Sequence, residues 1–162
     1  MHPRPLATIL VLALCSACAE SVPASSACRN LVYKESGLSR AEYLPCAGEM
    51  MSALDDVAAQ SKIAFDGDPA ARSKGQASLR RVKALMGAAG GRNLLERWRD
   101  SRLTDLNLDI SNAVTHYDAF YMVRVLEEPH QFAAKTREAA HDELRGGMQS
   151  YSEARSAYRR LR

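Results

Sequence analysis

Aromatic residues are scarce in this chain: three Phe, six Tyr and a single Trp make up 6% of its 162 residues. Long β-branched or alternating apolar–polar runs are also missing, which argues against a sheet-built core. After His2 no histidine occurs before His116, so the first two-thirds of the chain has no imidazole base to activate a thiol or hydroxyl. No G-x-S-x-G, phosphate-cradling glycine loop, zinc H-E-x-x-H or haem-attachment C-x-x-C-H occurs. Ser, His and Asp are present without a spacing that suggests catalysis. These absences point away from an enzyme and give no reason to expect a cofactor.

The apolar run at residues 6–14 has nine residues, against the roughly twenty that span a bilayer. Before it stand His2 and Arg4, and small residues Ser16, Ala17 and Ala19 follow. That three-part order is the plan of a secretory signal. Two processing routes compete. Ala17-Cys18-Ala19 fits small-x-small cleavage, with residues 1–19 removed. Ser16-Ala17-Cys18 also reads as the end of a bacterial lipoprotein signal, with residues 1–17 removed and Cys18 lipidated. Cys15 then occupies a position normally held by an aliphatic residue. The polar stretch after Cys18 suits a tether. By either route Cys15 is lost, and the C-x-x-C pair Cys15/Cys18 with it. The expected location is the bacterial periplasm, free or anchored to the outer membrane through Cys18, the only membrane attachment expected.

Cys28 and Cys46 remain. An exported chain with two cysteines most simply pairs them, tethering a flexible arm, residues 20–36, to a helical domain, residues 37–162. Four amphipathic stretches fill that domain. The first has a capping box, Ser39 with Glu42, and a stripe of Tyr43, Ala47, Met50, Leu54, Val57, Ser61 and Phe65. Pro45 either marks its start or kinks it. The second, residues 69–89, has Asp68 as N-cap, Pro69 at its first position and a buried face of Leu79, Val82, Leu85, Met86 and Ala89. Residues 92–102 read as a short connecting helix in which Trp98 either plugs the bundle end or anchors a partner. The third begins at Leu103, capped by Thr104 or Asp105, with Leu106, Ile110, Ala113, Tyr117 and Phe120 on one face. The fourth begins at Pro129 and buries Ala140, Leu144, Met148, Tyr151, Ala154, Tyr158 and Leu161. Gly146-Gly147 inside it either bends the helix or lets another backbone approach. The expected fold is all-α, a small four-helix up-and-down bundle with a disulfide-tethered N-terminal arm.

Charge alternates along the chain. Residues 35–68 and 103–144 are acidic, whereas 69–102 and 145–162 are basic. Antiparallel neighbours would therefore set opposite charges side by side. The basic second helix and its continuation, with Arg80, Arg81, Lys83, Arg97, Trp98 and Arg99, form the candidate partner surface. Its expected partner is an unknown envelope protein or an anionic polymer, not nucleic acid. Glu138-x-x-His141 has the spacing used in di-iron bundles, and Glu127-x-x-His130 repeats it across Pro129. The second helix has no carboxylate to complete such a set. His116, Glu138 and His141 stay as weak candidates for a metal- or ligand-binding bundle.

The Cys28…Cys46 pair before an Asp-containing helix, followed by "ERWRD" at 96–100, resembles the small helical lysozyme-inhibitor-like modules of bacterial envelopes. Those place a cysteine after the tryptophan, and none follows here. The resemblance implies an inhibitor or immunity-type protein acting on a cell-wall hydrolase or toxin, as an alternative to general partner binding.

Overall fold

The computed structural model describes residues 22–23, 26–31, 38–90, 100–125 and 133–162. These form four helices: α1 Arg40–Phe65, α2 Pro69–Ala88, α3 Ser101–Val125 and α4 Ala133–Leu161. No strand occurs among the described residues, and no helix among them is long and apolar enough to cross a membrane.

The helix starts follow from local chemistry. At α1 the Ser39 side chain accepts from the Glu42 amide, while the Glu42 carboxylate accepts from the Ser39 amide at 2.8 Å. At α2 one Asp68 oxygen accepts from the amides of Ala70 and Ala71 at 2.8 and 3.1 Å, and Pro69 occupies the first position. Gly67, with φ of 106°, makes the turn between the two helices. Pro45 lies inside α1, near its N-terminal end, and the helix runs through it. α3 starts two residues earlier than the expected Leu103. Asp100, not Thr104 or Asp105, caps it, accepting from the Arg102 amide at 3.1 Å.

Cross-helix contacts give the topology. Gly48 of α1 meets Tyr158 of α4, and Asp55, further along α1, meets Tyr151, earlier in α4. These two helices therefore run antiparallel. Gly75 meets Tyr121 and Lys83 meets Asp118, so α2 and α3 are antiparallel too. His116 and Tyr117 of α3 lie against Gly146 and Gly147 of α4. Along the diagonal, Tyr43 donates to Asn107 at 2.9 Å and Ser61 shares a 3.0 Å hydrogen bond with Tyr121, a parallel register. The result is the expected up-and-down bundle. The N-terminal ends of α1 and α3 share one end of it with the C-terminal ends of α2 and α4.

Every residue of the α3 stripe, Leu103, Leu106, Ile110, Ala113, Tyr117 and Phe120, has 0% exposure. A strict three-four spacing places all six on one side of a helix. Tyrosines do much of the joining, because a phenol spans the gap between helices and carries a polar tip. Burial pushes the pKa of the Tyr43 hydroxyl up. The Tyr117 hydroxyl is buried and has no hydrogen-bond partner among the described residues. Gly146 and Gly147 permit the close α3–α4 approach; a Cβ on Gly147 would sit 3.0 Å from the Tyr117 ring.

The N-terminal segment docks on the first turns of α1. Cys28 and Cys46 are disulfide-bonded, and both have 0% exposure. The Glu49 carboxylate accepts from the Ser26 hydroxyl at 2.7 Å and the Ala27 amide at 2.8 Å. A charged acceptor taking two donors is a stronger clamp than neutral pairs.

Candidate functional site

α2 turns one stripe inward: Ala71, Gly75, Leu79, Val82 and Leu85 are buried. Gly75 is needed in this stripe. A Cβ there would overlap the Tyr121 hydroxyl and lie 2.7 Å from its Cζ. The opposite side carries the cations. Arg80 and Arg81 are exposed, and among the described residues neither makes an ion pair. With no acidic residue anywhere in α2, these charges lack a counter-charge on their own helix.

Lys83 differs from its two neighbours. Its ammonium donates to both oxygens of Asp118 on α3 at 3.0 and 3.1 Å, with 50% and 41% of the two side chains exposed. An exposed pair of this kind contributes between zero and about 1 kcal/mol. The lysine is nonetheless partly neutralised from within the bundle, so Arg80 and Arg81, with the exposed Lys74 two turns earlier, carry the outward charge of α2. Arg97, Trp98 and Arg99 lie outside the described residues, as does Cys18.

The expected side-by-side placing of opposite charges recurs between α1 and α4. Asp55 accepts from the Tyr151 hydroxyl at 2.5 Å and lies 4.0 Å from Arg155. Desolvation first, then the Asp55 hydrogen bond, push the Tyr151 pKa up to about 12. The phenol therefore stays protonated and acts as a donor throughout the neutral range.

A shallow groove runs along the outer side of α3 and α4. One part, about 430 Å³, is lined by Arg102, Asp105, Ala157, Arg160 and Leu161. An adjoining part is lined by Asp109, Ser152, Glu153, Ser156 and Arg160. Desolvation, and then the Glu153 and Asp105 carboxylates, raise the Asp109 pKa, with Arg160 opposing them. A carboxyl whose folded pKa is raised binds its proton more tightly in the folded state. Stability from this group is thus lost as pH rises from the ordinary carboxylate range through the folded pKa. Asp109→Asn is expected to raise stability at pH 7 by a few tenths of a kcal/mol, the effect being small because solvent screens the site. At pH 4 the gain should shrink. Thermal melts at the two pH values check this; a loss of stability at pH 7 would contradict it.

The metal-binding residues proposed from sequence do not converge. His116 Nδ1 lies 2.8 Å from Glu143, a side chain not singled out in the sequence. His141 lies 3.9 Å from Asp142 and its ring centroid is 5.9 Å from that of Phe65. Glu138 is exposed. Among the described residues no three His, Cys, Asp or Glu side chains come together to hold a metal ion. Glu127 and His130 lie outside the described residues.

No protein family, no curated protein and no solved structure matches this chain.

Proposed function

We propose that this is an exported, all-helical protein of the cell envelope that acts without catalysis. It binds a partner protein or an anionic envelope polymer through the outer face of α2, continued in sequence by Arg97, Trp98 and Arg99. One observation carries the reading: Arg80 and Arg81 project from a helix that has no acidic residue, and no described side chain neutralises them. Uncompensated cations on a folded surface raise the local potential and favour anionic partners. A tryptophan close by in sequence suits an interface anchor.

The test compares recovery of envelope components by the exported protein and by two variants, Arg80→Glu/Arg81→Glu and Trp98→Ala. The charge reversal is expected to lower recovery of the specific partner at least tenfold, the scale for losing desolvated charge pairs. Unchanged recovery with both variants would overturn the proposed surface.

A further inference from the structure

The outer face of α2 has a shape as well as a charge. Ser73, Ala77, Arg80, Ala84 and Gly87 recur at steps of four, three, four and three, the spacing that lines one side of a helix. Ser73, Arg80 and Gly87 are exposed, and Ala77 and Ala84 are half-buried. This ridge points away from the buried stripe that holds Leu79, Val82 and Leu85. Apart from Arg80, no side chain on it is larger than serine. Among the described residues nothing lies within 4 Å of a Cβ built on Gly87, so the ridge is open there.

Cations border the ridge on both sides. Lys83 reaches Asp118, so its side faces α3. Lys74 and Arg81, seven residues apart, border the other side, toward α1. The neighbouring carboxylates leave these charges standing. Asp118 is engaged by Lys83, and Asp68 caps α2. Gln60 of α1 lies against Gly75, which sets Asp56, one turn earlier in α1, level with Leu79. Asp56, Lys74, Arg80 and Arg81 are exposed and make no ion pair among the described residues. A solvated helix face ordinarily carries long polar side chains. On α2 the long cations Lys74, Arg81 and Lys83 stand beside the ridge, and most of the ridge is bare. Helices pack 8–10 Å apart according to the side chains between them, so short ones admit a second helix closely. Its flanking carboxylates would then meet the bordering cations, as charges beside the seam of a coiled coil do. A flexible polyanion gains nothing from a bare ridge, because it follows cations wherever they stand. Arg80 is the one long side chain in the seam. It calls for a carboxylate opposite, and a single polar seam residue of this kind fixes register.

We propose that the outer face of α2 docks an acidic α-helix of a partner protein, with an apolar seam along the ridge, one carboxylate opposite Arg80 and rows of carboxylates on either side. The inference rests on the binding face of the proposed function and narrows its partner from any anionic surface to a helix of defined charge pattern.

The test uses the exported, processed protein and two peptides of the same sequence and charge. One is a stapled helix with an alanine–leucine seam, one glutamate within the seam and glutamates on both flanks. The other lacks the staple and has alternate residues of D-configuration, so it cannot form an α-helix. Titration gives the affinities, and amide shifts along α2 locate the contact. The helical peptide is expected to bind at least about tenfold more tightly than the non-helical one, because its carboxylates are already arranged. Ala77→Lys/Ala84→Lys adds positive charge and fills the seam. It should weaken the helical peptide about fivefold or more and strengthen the non-helical one. These opposite signs separate a docked helix from a flexible acidic chain or polymer. Helical circular dichroism and the melting temperature confirm that the variant is folded. Equal affinity for the two peptides would overturn the proposal. So would strengthening of both by Ala77→Lys/Ala84→Lys, or a helical peptide that leaves α2 unshifted. The broader reading fails separately, through unchanged recovery of envelope components with both Arg80→Glu/Arg81→Glu and Trp98→Ala.

Discussion

Replacing Cys28 and Cys46 together by alanine is expected to lower stability by about 3 kcal/mol and the melting temperature by about 10 °C. The bond closes a loop between residues 18 apart in sequence. Without it the unfolded chain gains the freedom the loop had removed, and most of the loss arises there. The folded state changes as well. The arm would then be held mainly by the two hydrogen bonds from Ser26 and Ala27 to Glu49. Such bonds contribute about 1.5–3 kcal/mol each at most. Keeping the docked segment ordered costs about 1–2 kcal/mol per residue. The arm should therefore detach and become sensitive to proteases before the helices melt. Thermal circular dichroism and limited proteolysis read the two effects. A melting temperature within about 2 °C of the parent, with the arm still protected, would contradict this account.

The second large effect is a change of sign within one helix. Gly75→Ala is expected to cost about 2 kcal/mol, whereas Gly87→Ala should gain up to about 1 kcal/mol. Both glycines lie in α2, where alanine is intrinsically the better helix former. Among the described residues nothing lies within 4 Å of a Cβ built on Gly87, so propensity decides there. At Gly75 the added methyl must displace Tyr121, whose hydroxyl also bonds Ser61, and it comes within 3.2 Å of Gln60. Tyr121→Phe removes the overlapping oxygen but leaves the ring. It should recover part of the Gly75→Ala loss, a coupling of at least about 1 kcal/mol in a double-mutant cycle. Denaturant melts of the four proteins measure it. Gly75→Ala and Gly87→Ala shifting stability in the same direction would contradict the packing described.

What the sequence discloses depends on whether a feature is local or arises between helices. The α3 stripe is legible because periodicity alone selects a face, and its six residues are all fully buried. Ser39 with Glu42, and Asp68 with Pro69, are legible because capping is settled within four residues. The Cys28–Cys46 bond follows from counting thiols in a chain read as exported. Asp100 escapes notice as the cap of α3 because Thr104 and Asp105 offer the same chemistry nearer the first apolar residue. The Asp100 side chain and carbonyl both accept from the first turn of the helix, which moves the start forward.

Features set by helix crossing cannot be read from spacing. Periodicity places Gly75 on the inner face of α2 but does not say that Tyr121 will point at it. In sequence Glu49 is one acid among several, and only the disulfide brings the Ser26 and Ala27 donors to it. Charge alternation suggests that basic α2 faces acidic α3, which Lys83 and Asp118 realise. It does not show that Arg80 and Arg81 are left facing outward. Neighbouring residues on a helix point apart, which puts His116 at an edge. Its Glu143 partner depends on Gly146 and Gly147 allowing α4 to come close.

The claim on which the functional account rests is that the outer face of α2 meets a partner outside the membrane. Site-specific photo-crosslinking in living cells tests it most directly, with the reactive side chain placed at Ser73 on α2, Asn112 on α3 or Ser152 on α4, all exposed. The account predicts an adduct of defined mass from Ser73, lost on Arg80→Glu/Arg81→Glu, and none from Asn112 or Ser152. Adducts only from Asn112 or Ser152, or none from Ser73 in a protein that is exported and folded, would contradict it.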